Sequence, residues 1–248
     1  MSHNNSNSIT TNPPAIINVD ALQSLEIPNI EEEIADMLKG FHIPPPRITI
    51  EHNQTGRHKL LIDYGEAYGD ERNYVYLENN ELYGIICYAQ MIRALWLENE
   101  LLPHCASVDD RPTVPEPISA SCLDCQCNHL GSLCKPKVRL LVLTWITEEP
   151  LLVVFTLSPT SIKRWRSHIG KLARSKIPYI AVVTKFSLVD VRKNTFRWSE
   201  VDMCVERVVN QDELEIVRVI REKARKQFIS IEDEDFNDVM IKGVNGES

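Results

Sequence analysis

Val138-Arg-Leu-Leu-Val-Leu-Thr-Trp145, followed after a short break by Leu151-Leu-Val-Val-Phe-Thr-Leu157, is the stretch on which the fold turns. Each run is short, rich in β-branched and aromatic residues, and nearly continuous in its apolar character, as a strand buried on both faces must be. Glu148, Glu149 and Pro150 stand between them and predict a hairpin. Working backwards, Arg47-Ile-Thr-Ile-Glu-His alternates with Ile48 and Ile50 on one face, and Lys59-Leu-Leu-Ile-Asp and Asn73-Tyr-Val-Tyr-Leu continue the strand pattern. Gly84 to Leu97 reads as a long bent strand, with a helix from Ala89 as the alternative. Working forwards, residues 159–174 predict a basic helix capped by Ser158 or Thr160. Tyr179-Ile-Ala-Val-Val-Thr and Phe196-Arg-Trp-Ser-Glu-Val predict two more strands.

The flanks differ in composition. Residues 1–28 are Asn-, Ser-, Thr- and Pro-rich and predict a flexible arm. Residues 29–40 predict a short helix, and residues 209–229 hold a C-terminal helix with Leu214, Val217, Ile220 and Ala224 on one face. Residues 230–248 form an acidic tail that contains Ile231-Glu-Asp-Glu-Asp-Phe236, a run suited to docking a partner protein or to competing for the chain's own basic surface. The expectation is a β-rich α+β domain over residues 29–208. Five or more strands with one helix between the later ones fit an OB-like Greek-key barrel.

The barrel pattern is interrupted at residues 103–136, where five prolines exclude regular structure and five cysteines gather. Cys122-Leu-Asp-Cys125 has the two-residue spacing that turns both thiolates toward one ion. Cys105 and Cys134 supply the second pair, for a closed tetrahedral structural zinc site. Cys127 is an alternative to Cys134, and His104 and His129 are further candidates. A loop of this length cannot order itself by burial, so a zinc-stapled insert is expected.

The 248 residues carry a net charge of −8, unevenly spread. Residues 1–134 have 7 Lys+Arg against 19 Asp+Glu, while residues 135–185 have 10 against 2. A basic middle in an acidic chain is the mark of a face that meets a polyanion. Candidate phosphate contacts are Lys135, Lys137, Arg139, Lys163, Arg164, Arg166, Lys171, Arg174 and Arg197, with Trp165 and Trp198 as stacking rings. The sequence lacks a phosphate-cradling glycine loop, a dinucleotide fingerprint, a Gly-x-Ser-x-Gly elbow and a His-Glu-x-x-His helix, so a non-catalytic protein is expected. No apolar run approaches a membrane span and no signal peptide is evident, which with the unpaired cysteine count predicts a cytoplasmic protein.

His104-Cys-Ala-Ser-Val-Asp-Asp110, then Cys122-Leu-Asp-Cys125, then Cys134 ahead of the Val138 strand and the helix start at Ser158-Pro-Thr-Ser161, resembles the zinc-insert pattern of phage and cyanobacterial single-stranded-DNA-binding-like proteins. Asp110 stands where that pattern has Gly. The acidic run closed by Phe236 is similar to the tails of replication single-strand binders. The resemblance implies an OB-fold with a structural Zn2+ ribbon that coats single-stranded DNA, or RNA, without catalysis. The competing expectation is a zinc-containing adaptor that recruits a protein partner in a replication, transposition or defence complex.

Overall fold

The computed structural model describes residues 44–51, 58–66, 72–97, 103–129, 132–146, 150–194 and 196–227. The chain divides into two units, Met1–Pro44 and Pro45–Ser248, and the description below concerns the second. The expected N-terminal arm, the 29–40 helix, the Glu148–Glu149 turn and the acidic tail lie outside the described residues.

Among the described residues ten strands form one sheet: β1 (Arg47–Glu51), β2 (Lys59–Glu66), β3 (Arg72–Tyr76), β4 (Glu81–Leu95), β5 (Cys105–Val108), β6 (Arg111–Pro112), β7 (Lys135–Thr144), β8 (Leu151–Leu157), β9 (Val182–Lys193) and β10 (Phe196–Val208). The main path runs β10-β9-β4-β7-β8-β1-β2-β3, with β5 and β6 attached to the end of β4. Every pairing is antiparallel except β1 with β8. One face curls on itself. Ile48, Leu60, Ile62, Ile86, Leu140, Val153, Phe186 and Val201, from seven different strands, belong to a single buried cluster. Side chains from strands so far apart meet only if the sheet bends around them, so this unit, over its described residues, is a curled half-barrel with few helices.

Helix α1 (Ile162–Arg174) adds Ile162 and Trp165 to that interior. Helix α2 (Gln211–Gln227) covers the opposite face, with Val217 against Ile85, Cys87, Leu143 and Val183, and Ala224 against Leu141 and Val154. The apolar face expected of α2 is the one it buries.

β4 is a strand throughout. A register shift between Ile86 and Tyr88 lets it serve β9 at one end and β5 at the other. Two expectations need correcting. The insert contains regular structure: β5 pairs with β4 from Leu95↔Cys105 to Ile92↔Val108, and a two-residue turn leads into β6. Asp109 and Asp110 have φ of 49° and 62°, the left-handed backbone that a tight hairpin turn requires. Asp tolerates it better than most residues, so glycine is dispensable here. Second, Tyr179–Ala181 is a 3-10 turn set by Pro178, and the strand begins only at Val182.

The start of α1 also differs from expectation. Pro159–Ser161 forms a 3-10 turn, and neither Ser158 nor Thr160 caps the helix through its side chain. Ser161 stands at the N-cap, but its hydroxyl accepts the backbone N–H of Val201 at 3.0 Å. The group that would cap the helix instead fastens it to β10.

Candidate functional site

Two surfaces carry the chemistry that the sequence singled out. The first is a cavity of about 10 Å³, on the order of one water molecule or one ion, where β4, β5 and the insert meet. Cys105, Cys122, Cys125, Cys127 and Cys134 all line it, together with Arg93 and Ser107. The β4–β5 ladder positions three of these residues. It sets Cys105 opposite Leu95 and Ser107 opposite Arg93. The turn after Cys122 brings in the next thiols, with Cys125 N–H bonded to the Cys122 carbonyl and Asn128 N–H to the Cys125 carbonyl. The backbone N–H of Cys127 points at Cys125 Sγ, 3.4 Å away. An amide aimed at a cysteine sulfur stabilises a thiolate there. The Cys122 thiol donates to Ser107 Oγ at 3.0 Å.

The thiols perturb one another. Burial pushes Cys134 up to about 11, the Arg93 guanidinium opposes that rise, and the Cys122, Cys105 and Cys125 thiols add to it. Cys127 is raised by burial and then by Cys125 and Cys105. Several clustered thiols cannot ionise together unless a cation holds them, and supplying that charge is what a divalent metal does. The donor set therefore fits a soft ion such as zinc. The sulfurs line the wall without closing: among the described residues no three His, Cys, Asp or Glu side chains converge as a coordination shell would. The cavity offers five thiols for four positions, and neither His104 nor His129 is among its described lining residues.

The second surface is α1. The helix contains no acidic residue, and Lys163, Arg166, Lys171 and Arg174 are all exposed. At 100° per residue these four fall on the side opposite Trp165, His168 and Leu172, so burying the apolar stripe turns the cations outward. Lys135 is exposed as well.

The remaining basic candidates are placed differently. Lys137 and Arg139 are only 5% and 3% exposed. Alternation along β7 puts them on the face of Leu141 and Leu143, the face that α2 covers, and Arg139 donates to Gln90 Oε1 at 2.8 Å. Neither presents its charge to an open surface, which corrects their assignment as phosphate contacts. Arg164 bonds Glu200 at 2.6 Å and Asp202 at 3.1 Å, so its charge is neutralised within the fold. Arg197 is paired with Asp190 at 2.6 Å. Trp165 is half-buried and packs on the main core. Trp198 is half-buried, and its indole N–H donates to Glu200 Oε1 at 3.1 Å. Glu200 thus holds both Arg164 and Trp198 and sets Trp198 beside α1.

No family model, curated protein or solved structure matches the chain. The site must be read from its own chemistry.

Sequence reasoning missed Arg93, whose one signal was a charged residue inside the apolar run Met91-Ile-Arg-Ala-Leu-Trp96, and it included Ser107 within the His104–Asp110 motif without assigning it a role. On β2–β3, Lys59 Nζ lies 4.4 Å from the centroid of the exposed Tyr76 ring, which Tyr74 meets edge-on at 5.3 Å. Among the described residues no helix is long and apolar enough to cross a membrane.

Proposed function

We propose that the chain binds single-stranded nucleic acid, DNA in the first instance, along the solvent face of α1, and that a structural zinc ion held by Cys105, Cys122, Cys125 and Cys134 orders the insert. The observation that carries this reading is the acid-free α1 with Lys163, Arg166, Lys171 and Arg174 exposed on one side. Four cations along one helix face neutralise successive phosphates without reading sequence. Trp198, fixed beside α1 by Glu200, is the ring on which a base stacks. The curled sheet is the OB-like scaffold that presents both, and no catalytic step is involved. Cys127 is the thiol left over from the metal shell.

The test is fluorescence anisotropy of a labelled thirty-nucleotide single strand against the matching duplex, over a salt series. Tight binding to the single strand, with a slope of log K on log salt of about −3 for four phosphates, is the expected result. A chain that ignores both nucleic acids at low salt overturns the reading and leaves the protein-adaptor alternative.

A further inference from the structure

We propose that Arg93 and Ser107 are the positioning residues of the insert's zinc centre. In this role Arg93 is the counter-cation to its excess negative charge, and Ser107 donates a hydrogen bond to the Cys122 sulfur. The inference rests on the zinc reading above and adds to it how the β-sheet selects and stabilises the metal.

Charge balance requires such a partner. When one Zn2+ binds four cysteines, four S–H protons leave to solvent and the centre carries a net charge of −2. Holding that charge in a half-enclosed cavity is costly unless a cation or aligned donors face it. Arg93 is the cation in place. It lines the cavity with the five thiols, and its side chain is only 13% exposed.

The hydrogen-bonding state of Arg93 points the same way. It forms an ion pair with Asp110, with Nε 3.4 Å from Oδ1, yet both of these buried atoms lack a hydrogen bond. A buried guanidinium nitrogen left in that state next to a ring of thiols is matched to an anion that forms only when the thiols ionise.

Ser107 sits directly opposite Arg93 in the ladder and is 1% exposed. With the thiol protonated, Cys122 donates to Ser107 Oγ. Once Cys122 is a metal-bound thiolate the bond reverses, and the serine hydroxyl becomes the donor. Cross-strand pairing therefore places a cation and a hydroxyl donor against the same metal shell from the β4–β5 side, while the loop between β6 and β7 supplies three of the four sulfurs.

The experiment measures zinc affinity of the full chain by competition with a chromophoric chelator, and the cobalt(II) absorption of the same proteins. Wild type is compared with R93Q, R93K, S107A and D110N. R93Q and S107A are expected to weaken zinc binding about 10- to 100-fold. R93K, which keeps the charge, is expected to recover most of the loss, and S107A is expected to shift the cobalt d–d bands because one thiolate loses its donor. D110N removes the carboxylate that competes for Arg93 and is expected to tighten zinc binding, a readout that does not depend on R93Q folding. Wild-type affinity in R93Q, or unchanged or weaker affinity in D110N, overturns the assignment of Arg93. Wild-type affinity and an unshifted cobalt spectrum in S107A overturn that of Ser107. A wild-type chain that binds no zinc and gives no cobalt-thiolate absorption overturns the zinc reading itself, which is a distinct result.

Discussion

The rings of Phe155 and Phe186 meet edge-to-face with centroids 5.6 Å apart, although their strands, β8 and β9, are separated in the sheet by β7 and β4. Three strand spacings in a flat sheet are about 14 Å, too far for two side chains standing on it to touch in this way. The contact is a direct measure of the curl. Both side chains are fully buried, so Phe186→Ala leaves a cavity at the point where the two limbs of the sheet converge. A loss of about 3–5 kcal/mol is expected from urea unfolding. A loss below about 1 kcal/mol would mean that the limbs are held together elsewhere.

Gly84 is required for a different reason. Its backbone is paired on both sides, with Thr144 of β7 and Thr184 of β9. A Cβ built there would lie 2.5 Å from Val142 Cγ1 and 2.7 Å from the Leu143 carbonyl oxygen. The valine methyl can shift, but the carbonyl belongs to the ladder. Gly84→Ala is therefore expected to destabilise by about 1–3 kcal/mol through overpacking, read as a lowered urea midpoint with an unchanged slope.

The strands that were legible in the sequence are those whose burial is two-sided. β7 and β8 are covered by the interior on one face and by α2 on the other, so their apolar runs are nearly continuous. The same burial made Lys137 and Arg139 misleading. Nothing local shows that the outer face of β7 is covered, because the covering helix lies some seventy residues further along the chain. The cysteine cavity was legible from spacing, whereas Arg93 was not, since its place among the thiols follows from the β4–β5 register. Trp165 was open to two readings in the sequence: with Ile162, His168 and Leu172 it forms the helical stripe that the core demands, while its basic neighbours suggest a stacking ring.

The N-terminus of α2 has a reciprocal cap that titrates. Glu213 N–H donates to Asn210 Oδ1 and Asn210 N–H donates to Glu213 Oε2, each at 2.8 Å, while Arg207 grips the same carboxylate at 2.6 and 2.8 Å. The Arg207 bond, foremost, holds the Glu213 carboxyl below its ordinary value of 4.5, against the opposing effect of burial. A depressed acid stabilises the folded state above its unfolded value, and that stability is lost as pH falls through the folded value. Removing the cap with Asn210→Ala is expected to cost about 1 kcal/mol at pH 7. Glu213→Gln is expected to flatten the pH dependence of stability below 4.5, as followed by urea titrations at stepped pH.

The two kinds of arginine on α1 separate binding from folding. Arg166 and Arg174 face solvent, whereas Arg164 is committed to Glu200 and Asp202. Replacing any one of Lys163, Arg166, Lys171 or Arg174 with Ala is expected to weaken single-strand binding for all base sequences alike. Each such change should also reduce the salt slope by about 0.7, because each removes one phosphate neutralisation. Arg164→Ala is expected to leave that slope unchanged and instead to lower stability by about 1 kcal/mol, since it strands Glu200 beside Trp198 without its cation. Anisotropy over a salt series together with urea unfolding of the same five variants reads both quantities. If Arg164→Ala reduces the slope as much as the exposed positions do, Arg164 exchanges its carboxylate partners for a phosphate and must be counted with the binding cations.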